Sequence, residues 1–579
     1  MSVKGFLFKY IKKYWLYYLG GIMTLLVVDI AQLYIPKIIA HVIDKLETLD
    51  MSIPELYKYG GIIVLLAVIM SLMRFLWRQL IILTGFRIAR DIREDVMNKM
   101  YKLPVSFYTN NKVGNLMANV INDVDAIRFF LGIGIIAIFD MTILSSMAIG
   151  FMLMISKKLT LIALIPAPFI LLLMYYFEGP LQKKFLSIQG LFGKMSEKVK
   201  ETIEGIALIK LYRLYGIKKN EFKSLNVKYR KDNMITSSID ALFHPVIEFL
   251  MMVTLAVILY YGGVQVIDQK VSLGDFVAFT RYINILIWPM IALGWVFSLY
   301  QRAVSGMKRL FVIFESDEEN YNCGSDVKAF KDGSLEMEKV NFKYDNSEFS
   351  LNDISLKVPE KALVGITGKI GCGKSTLVNL FLRIFEIDSG EIKIGGENIQ
   401  GYSLKTLRRN IAYVPQETFL FSSSILENMR FANEESTIEE VEEALRIARA
   451  LDFVKDLPQG IDTVVGERGV SLSGGQKQRI SLARALLLKR PVIIMDDCLS
   501  AVDSETEKSI IHNLRDKWEQ STSIVVSHRL SAFQYSDVVF VMDHGKIVDS
   551  GTHEDLKERE GIYNSLYLKQ QIEEELENA

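Results

Sequence analysis

Apolar residues are spread unevenly along this chain of 579 residues. Before about residue 305 they gather in long blocks. From about residue 334 onward they come in short runs, some alternating as strands do and some spaced as on one face of a helix. Six of the blocks are long enough to cross a bilayer, at roughly 17–38, 58–80, 129–155, 159–178, 246–267 and 274–299. A span needs about 20 residues, because lipid offers the backbone no hydrogen-bond partner and a continuous helix satisfies it internally. Six such blocks in the first half argue against the core helices of a large soluble domain.

Residues 81–128 and 179–245 keep a helical pattern, with no proline between Pro180 and Pro245. The pattern predicts that spans two to five continue as helices well beyond the bilayer. Their tips fall near 107–116 and 208–222, with Gly216 and Asn220 as turn residues of the second tip. These intervals are also the basic ones, carrying Arg87, Arg90, Arg93, Lys99 and Lys102, and then the stretch from Lys183 to Lys231. Lys4, Lys9, Lys12 and Lys13 precede the first span, whereas the loops near 39–57 and 268–273 are nearly balanced. This distribution places both termini in the cytoplasm; Lys157 and Lys158 run against it and are outweighed. The opening "MSVKGFLFKYIKKYW" is basic and amphipathic without a cleavage signal, and is expected to lie on the membrane surface.

Charges inside the spans need a reason, since each is costly against lipid and belongs against protein or a water-filled space. Asp29 is expected to pair with Arg74 or Arg78, while Asp140 and Glu248 have no basic neighbour in sequence and would suit a cationic amphiphile. Tyr34, Met141, Phe151, Met174 and Met251 suit an adaptable apolar cavity as well as they suit ordinary packing. Composition narrows the picture further. Lysine plus arginine and aspartate plus glutamate both number 67, so nothing in the net charge argues for a nucleic-acid partner. The three cysteines, Cys323, Cys372 and Cys498, stand at unrelated spacings and exclude a disulfide framework or a C-x-x-C site.

The polar stretch 306–333, with "ESDEENYNCGSD", reads as a linker between a membrane domain over 1–305 and a second domain over 334–579. There "GITGKIGCGKSTL" follows the strand "ALVGI" and opens a helix. Gly368, Gly373, Lys374 and Ser375 fit the phosphate-loop pattern G-x-x-x-x-G-K-[ST]. Its glycines let backbone amides close around phosphates, the lysine reaches the outer phosphates, and the hydroxyl ligates magnesium. "VIIMD" is an apolar strand whose Asp496 is expected beside that loop, holding the magnesium. "SLSGGQKQRISLARAL" places Ser473 as the cap of a strong helix, a start that binds anions through free amides and the helix dipole. One nucleotide has no need of two anion sites in one domain, which suggests a nucleotide sandwiched between two copies. His528, after the strand in "TSIVVSHRLS", is a candidate contact to a terminal phosphate and equally a structural residue.

Gly368–Thr376, Gln416, "LSGGQ" at 472–476, Asp496, "SAVD" at 500–503 and His528, in that order, resemble the ATP-binding-cassette family. With the six-span domain ahead of them, the whole chain looks like an ABC exporter half-transporter. The fold implied is an α-helical six-span transmembrane domain with long cytoplasmic helix extensions, followed by an α/β P-loop nucleotide-binding domain. The resemblance implies ATP and Mg2+ as ligands, held by Gly368, Gly371, Gly373, Lys374, Ser375 and Thr376, with Tyr344 stacking on adenine. It implies magnesium ligation by Ser375, Gln416 and Asp496, with Gln416 also linking the attacking water to the membrane helices. Ser473, Gly474 and Gly475 would face the nucleotide of a second half-transporter, "GERG" at 466–469 would relay contact from it, and the two helix tips would be coupling helices.

The family's catalytic sites follow Asp496 with glutamate; this chain has Asp497. Aspartate is one methylene shorter, which withdraws the carboxylate by about 1.5 Å. General-base catalysis needs hydrogen-bond reach, and a misplacement near 1 Å costs about a hundredfold. Asp497 is then either a working base, with His528 and Gln416 beside it, or the mark of a site that binds ATP and hydrolyses it slowly. The second reading resembles one subunit of a bacterial heterodimeric multidrug exporter in the plasma membrane, whose partner chain carries the glutamate. A homodimer, a lipid or lipid-linked-substrate exporter of the same architecture, and a non-transporting regulator are the alternatives.

Overall fold

The computed structural model describes the backbone of residues 2–319, 330–344, 349–431, 433–466, 471–517 and 521–578. Side chains at 167, 170–183, 186, 240, 243–244, 247, 291, 293, 574 and 577–578 lie outside the description, so Met174 does too. Residues 306–315 of the expected linker continue a helix, and Cys323 lies outside the described residues. The chain forms two units, one of residues 1–103 and 111–317, the other of 104–110 and 318–579.

The first unit is helical throughout. Five of its helices are long and apolar enough to cross a membrane among the described residues: Trp15–Glu47, Ile53–Met100, Val113–Ile155, Glu248–Ile267 and Leu273–Glu315. The expected fourth block falls in the helices Lys157–Leu164 and Pro166–Glu204, largely where side chains are outside the description. The predicted extensions are present as unbroken helices, the longest being Tyr215–Ile267 with 53 residues. Its turn is not where glycine and asparagine were expected. Gly216 and Asn220 lie inside the helix, and the chain reverses at 212–214, where Arg213 takes a φ of 53°. The tip is held instead by charge: Lys218 meets Glu201 at 2.8 Å and Lys198 meets Glu221 at 2.8 Å.

The amphipathic helix Val3–Lys13 buries Phe6 and Tyr10 within the first unit, where Phe6 meets the rings of Phe311 and Phe314. Lys9 and Tyr10 both reach Asp95 at 2.7 Å, and Lys13 and Tyr14 reach Asp91 at 2.6 and 2.8 Å. Burial works against the Asp91 carboxylate, but Lys13, Arg90 and Tyr14 together hold it below the usual aspartate range.

The second unit is an α/β fold built on a six-stranded sheet. With β1 Leu335–Lys343, β2 Ser350–Val358, β3 Leu363–Gly368, β4 Ser389–Ile394, β5 Glu397–Asn398, β6 Ile411–Val414, β7 Val492–Asp496, β8 Thr522–Val526, β9 Val538–Asp543 and β10 Lys546–Gly551, its order is β10-β9-β3-β8-β7-β6. The central strands β3, β7 and β8 are buried at every position, as a parallel sheet covered on both faces requires. A second sheet, β2-β1-β4-β5, is antiparallel. Arg408 grips Glu319 with two bonds of 2.9 and 2.6 Å and so anchors the start of this unit's main segment.

Glycine decides the close approach of two helices at one end of the membrane unit. Asp44 accepts from the Gly274 amide at 2.7 Å and from the Ser272 hydroxyl at 2.8 Å, and a Cβ on Gly274 would lie 2.0 Å from the Ala40 carbonyl oxygen. Gly274→Ala should therefore cost about 1–3 kcal/mol through overpacking. Gly263→Ala, with nothing within 4 Å among the described residues, should be neutral. Thermal unfolding of the two detergent-purified variants measures the difference; equal midpoints would refute the contact.

Candidate nucleotide-binding site

The phosphate loop connects β3 to the helix Lys374–Phe381. Gly373 caps that helix at a φ of 105°, a left-handed conformation that L side chains avoid, and a Cβ there would stand 2.5 Å from Phe349. Gly368, at φ 146°, passes so near Met542 that a Cβ would lie 2.1 Å from its carbonyl oxygen. The Lys374 ammonium is drawn into the loop, donating to the Gly368 and Lys369 carbonyl oxygens at 3.0 Å each. Its burial, more than anything else, lowers its pKa.

Strand pairing brings Asp496, at the end of β7, to this loop, and the Ser375 hydroxyl donates to its carboxylate at 3.0 Å. Burial raises the pKa of Asp496, with the neighbouring Asp497 charge adding to it and Ser375 and Lys374 opposing. No cluster of three or more histidine, cysteine or acidic side chains suited to a metal occurs among the described residues. One hydroxyl and one buried carboxylate are what a small hard cation takes from protein when phosphates and water supply its other ligands, so this set fits magnesium.

Gln416 joins the group by donating to the Asp497 carboxylate at 3.3 Å. The Asp497 backbone has a φ of 44°, its amide donates to the Val526 carbonyl at 2.9 Å, and only 8% of the residue is exposed. Aspartate and asparagine tolerate this left-handed conformation better than longer side chains. His528 lies within electrostatic range of Lys374 and Asp497; burial, then Lys374, lowers its pKa, so its ring is neutral at neutral pH. The Tyr344 hydroxyl shares a hydrogen bond of 3.0 Å with Thr376, and its ring packs edge-on against Phe342 and Phe385.

Ser473 caps the helix Gly474–Leu486 in a reciprocal pair with Gln476. None of the hydrogen bonds of residues 473–475 goes to Lys374, Ser375, Asp496 or His528 among the described residues. This second anion-binding start is tied instead to the segment after β7, where a Cβ on Gly475 would lie 2.7 Å from the Ala501 carbonyl oxygen. Of "GERG", Glu467, Arg468 and Gly469 lie outside the described residues.

Comparison with known proteins accounts for both units. Residues 18–290 match the family model "ABC transporter transmembrane region", and residues 351–500 match "ABC transporter". A Bacillus subtilis protein named probable multidrug resistance ABC transporter ATP-binding/permease protein YheI is 33% identical over 569 residues, 97% of each chain. The chain belongs to the ABC transporter family. The multidrug resistance-like ATP-binding protein MdlA of Escherichia coli is 33% identical to this transporter over 98% of its length and 97% of that protein's. A bacterial Atm1-family ABC exporter solved with ATP bound superposes with a TM-score of 0.80 at 25% identity, over 96% of this chain and 99% of that one. This is accordingly an ABC exporter half-transporter, with a helical membrane region and an ATP-binding region on one polypeptide, and its transport is driven by ATP.

Three residues that frame the transporter's site carry no motif signal. Gln478 donates to Ser500 at 3.2 Å and accepts from the Ala501 amide at 2.9 Å, fastening the helix Gly474–Leu486 to "SAVD". Arg529 donates to the Val502 and Ser500 carbonyls at 2.5 and 3.2 Å and to buried Glu507 at 3.0 Å, joining the same segment to the His528 loop. Gln570, on the helix Ile562–Asn578, donates to the His528 carbonyl at 2.6 Å and accepts from the Leu530 amide at 2.9 Å. Gln570→Ala removes the partner of that amide, so hydrogen exchange over 527–531 should accelerate roughly fivefold, the value of about one hydrogen bond. Strand β7 should not change. Exchange measured by mass spectrometry on the full chain decides it, and unchanged protection of 527–531 would show that the clamp does not hold.

Proposed function

We propose that this chain is one subunit of a multidrug exporter that moves hydrophobic or amphiphilic compounds outward across the cytoplasmic membrane of a bacterium. It crosses the membrane six times with both termini inside, and it pairs with a second, different half-transporter. Lys374, Ser375, Thr376 and the glycines of the loop hold ATP, Tyr344 lies against the base, and Ser375, Gln416 and Asp496 hold magnesium. Magnesium neutralises charge on the transferring phosphoryl group when bound. Ser473, Gly474 and Gly475 complete the partner's site, where the partner's glutamate holds the attacking water.

Asp497 carries this reading. Its carboxylate stops one methylene short, is engaged by Gln416, and rises from a left-handed backbone that favours aspartate over glutamate. The pairing of two chains draws support from the second helix tip, which leaves Leu208, Leu211, Tyr212 and Tyr215 exposed at 58–77%. Apolar side chains gathered at the end of a helical extension are suited to a partner surface.

In the purified pair, Asp497→Asn should change steady-state ATPase modestly, while removal of the partner's glutamate should nearly abolish it. Asp497→Glu restores reach but meets the left-handed backbone, at a cost of about 1–3 kcal/mol, so it should accelerate the slow site little. A collapse with Asp497→Asn as deep as that from losing the partner's glutamate would make Asp497 a working base and end the asymmetric reading.

A further inference from the structure

The ion pair expected of Asp29 does not form: Arg74 donates to Gln32 at 3.2 Å, and no salt bridge joins Asp29 to Arg74 or Arg78 among the described residues. A cation with no partner and a cavity beside it lies in the ATP-binding unit. The cavity holds about 210 Å3 and is walled mainly by polar side chains. It lies where the helices Ser504–Lys517, His553–Glu558 and Ile562–Asn578 meet the loop that follows His528. Lys508 stands at it and makes no ion pair or hydrogen bond among the described residues; neighbouring Glu507 is taken by Arg529 at 3.0 Å. Lys557 is neutralised by its pairing with Glu554. His553, 8% exposed, spends Nδ1 on the Tyr563 hydroxyl at 2.6 Å and leaves Nε2 uncommitted among the described residues. Ser531 and Gln534 likewise keep their side chains free of hydrogen bonds among the described residues.

One uncompensated positive charge, with a hydroxyl, an amide and an imidazole around it, is the complement of an oxyanion. A charge-assisted bond to Lys508 supplies the attraction, and the neutral donors supply orientation. When the Tyr563 hydroxyl donates to Nδ1, Nε2 carries the ring proton and donates as well. The volume is below that of pockets for drug-sized ligands and suits a molecule of about ten heavy atoms. Tyr567 and Leu530 give the carbon body of such a molecule an apolar wall. We propose that this cavity binds a small organic oxyanion, a carboxylate or a phosphate monoester, with its head group on Lys508. The site goes beyond the exporter reading and does not rest on it. Its place has a consequence, because Gln570, another wall of the cavity, holds the His528 carbonyl and the Leu530 amide. Leu530 and Ser531 belong to the same loop, so an occupant ties that loop to the helices around it, and the loop opens only when the occupant leaves. His528 is thereby restrained by a ligand that never enters the ATP site.

The test is hydrogen exchange by mass spectrometry on the full-length transporter in lipid nanodiscs. A non-hydrolysable ATP analogue and magnesium are present throughout, so that the phosphate loop is filled. The probes are glycerol 3-phosphate, glycerate and, as the uncharged control, glycerol. With a dissociation constant on the order of 1 mM for one ion pair and a few hydrogen bonds, an anion at about 10 mM should slow exchange over 527–534 roughly tenfold. Strand β7 should not change. Lys508→Gln should weaken the anion about tenfold and leave roughly twofold slowing. Lys508→Arg keeps the charge and should retain most of the effect, which separates loss of the ligand from misfolding. Slowing by glycerol 3-phosphate alone assigns the head group as phosphate, slowing by glycerate alone as carboxylate, and slowing by both shows that charge suffices. No slowing with either anion, equal slowing with glycerol, or slowing that Lys508→Gln leaves intact overturns the site.

Discussion

A bilayer denies the backbone any hydrogen-bond partner, and the first half of this chain is organised around that denial. Each amide must be satisfied within its own helix, so the spans are continuous helices and stay continuous where they leave the lipid. At 1.5 Å per residue, the 53 residues of Tyr215–Ile267 extend about 80 Å. The helix stays continuous through Pro245, which lacks an amide for the preceding turn and is the place along it most apt to bend. Continuity of that kind carries the backbone hydrogen bonds out of the lipid without leaving an amide unpaired at the boundary.

The ATP-binding half obeys a different constraint: charge is gathered in a nearly dry place, and at Lys374 and Asp496 burial works against it more than the neighbours help. Lys374, Asp496 and Asp497 are buried and His528 is half-buried; the charges of Lys374 and the two aspartates act on one another, and Gln416 holds Asp497. Around them a small number of side chains fasten separate segments into one frame. Gln478 joins the capped helix to Ser500 and Ala501, and Arg529 joins that segment to the loop of His528. The frame explains how residues far apart in sequence share one geometry without a common secondary-structure element.

What could be read from the residues was whatever is local. The phosphate loop is a contiguous pattern with its strand and helix on either side, and the capped helix at Ser473 announces itself within four residues. The helical extensions were legible because apolar spacing persists through 81–128 and 179–245. Contacts between distant positions were not. Three π-helical turns within Val113–Ile155 each add a residue, and each turns the side chains beyond it by about 100° from the phase a regular helix predicts. The second tip turns at Arg213 rather than Gly216 because ion pairs at Glu201 and Glu221 hold the helices there, and such pairs override local turn preference. The left-handed backbone of Asp497 follows from its bond to Val526 on the next strand, which no neighbour in sequence reveals.

The clamp of Gln570 on the His528 loop also has a bearing on biosynthesis. The two residues are 42 positions apart, so a ribosome that has already completed every recognisable nucleotide motif must still add those residues before the loop acquires its fastening. Membrane helices emerge and insert first, the phosphate loop and capped helix follow, and the clamp comes after them. A nascent chain still short of residue 570 thus carries a full set of nucleotide ligands without the contact that sets their last loop in place.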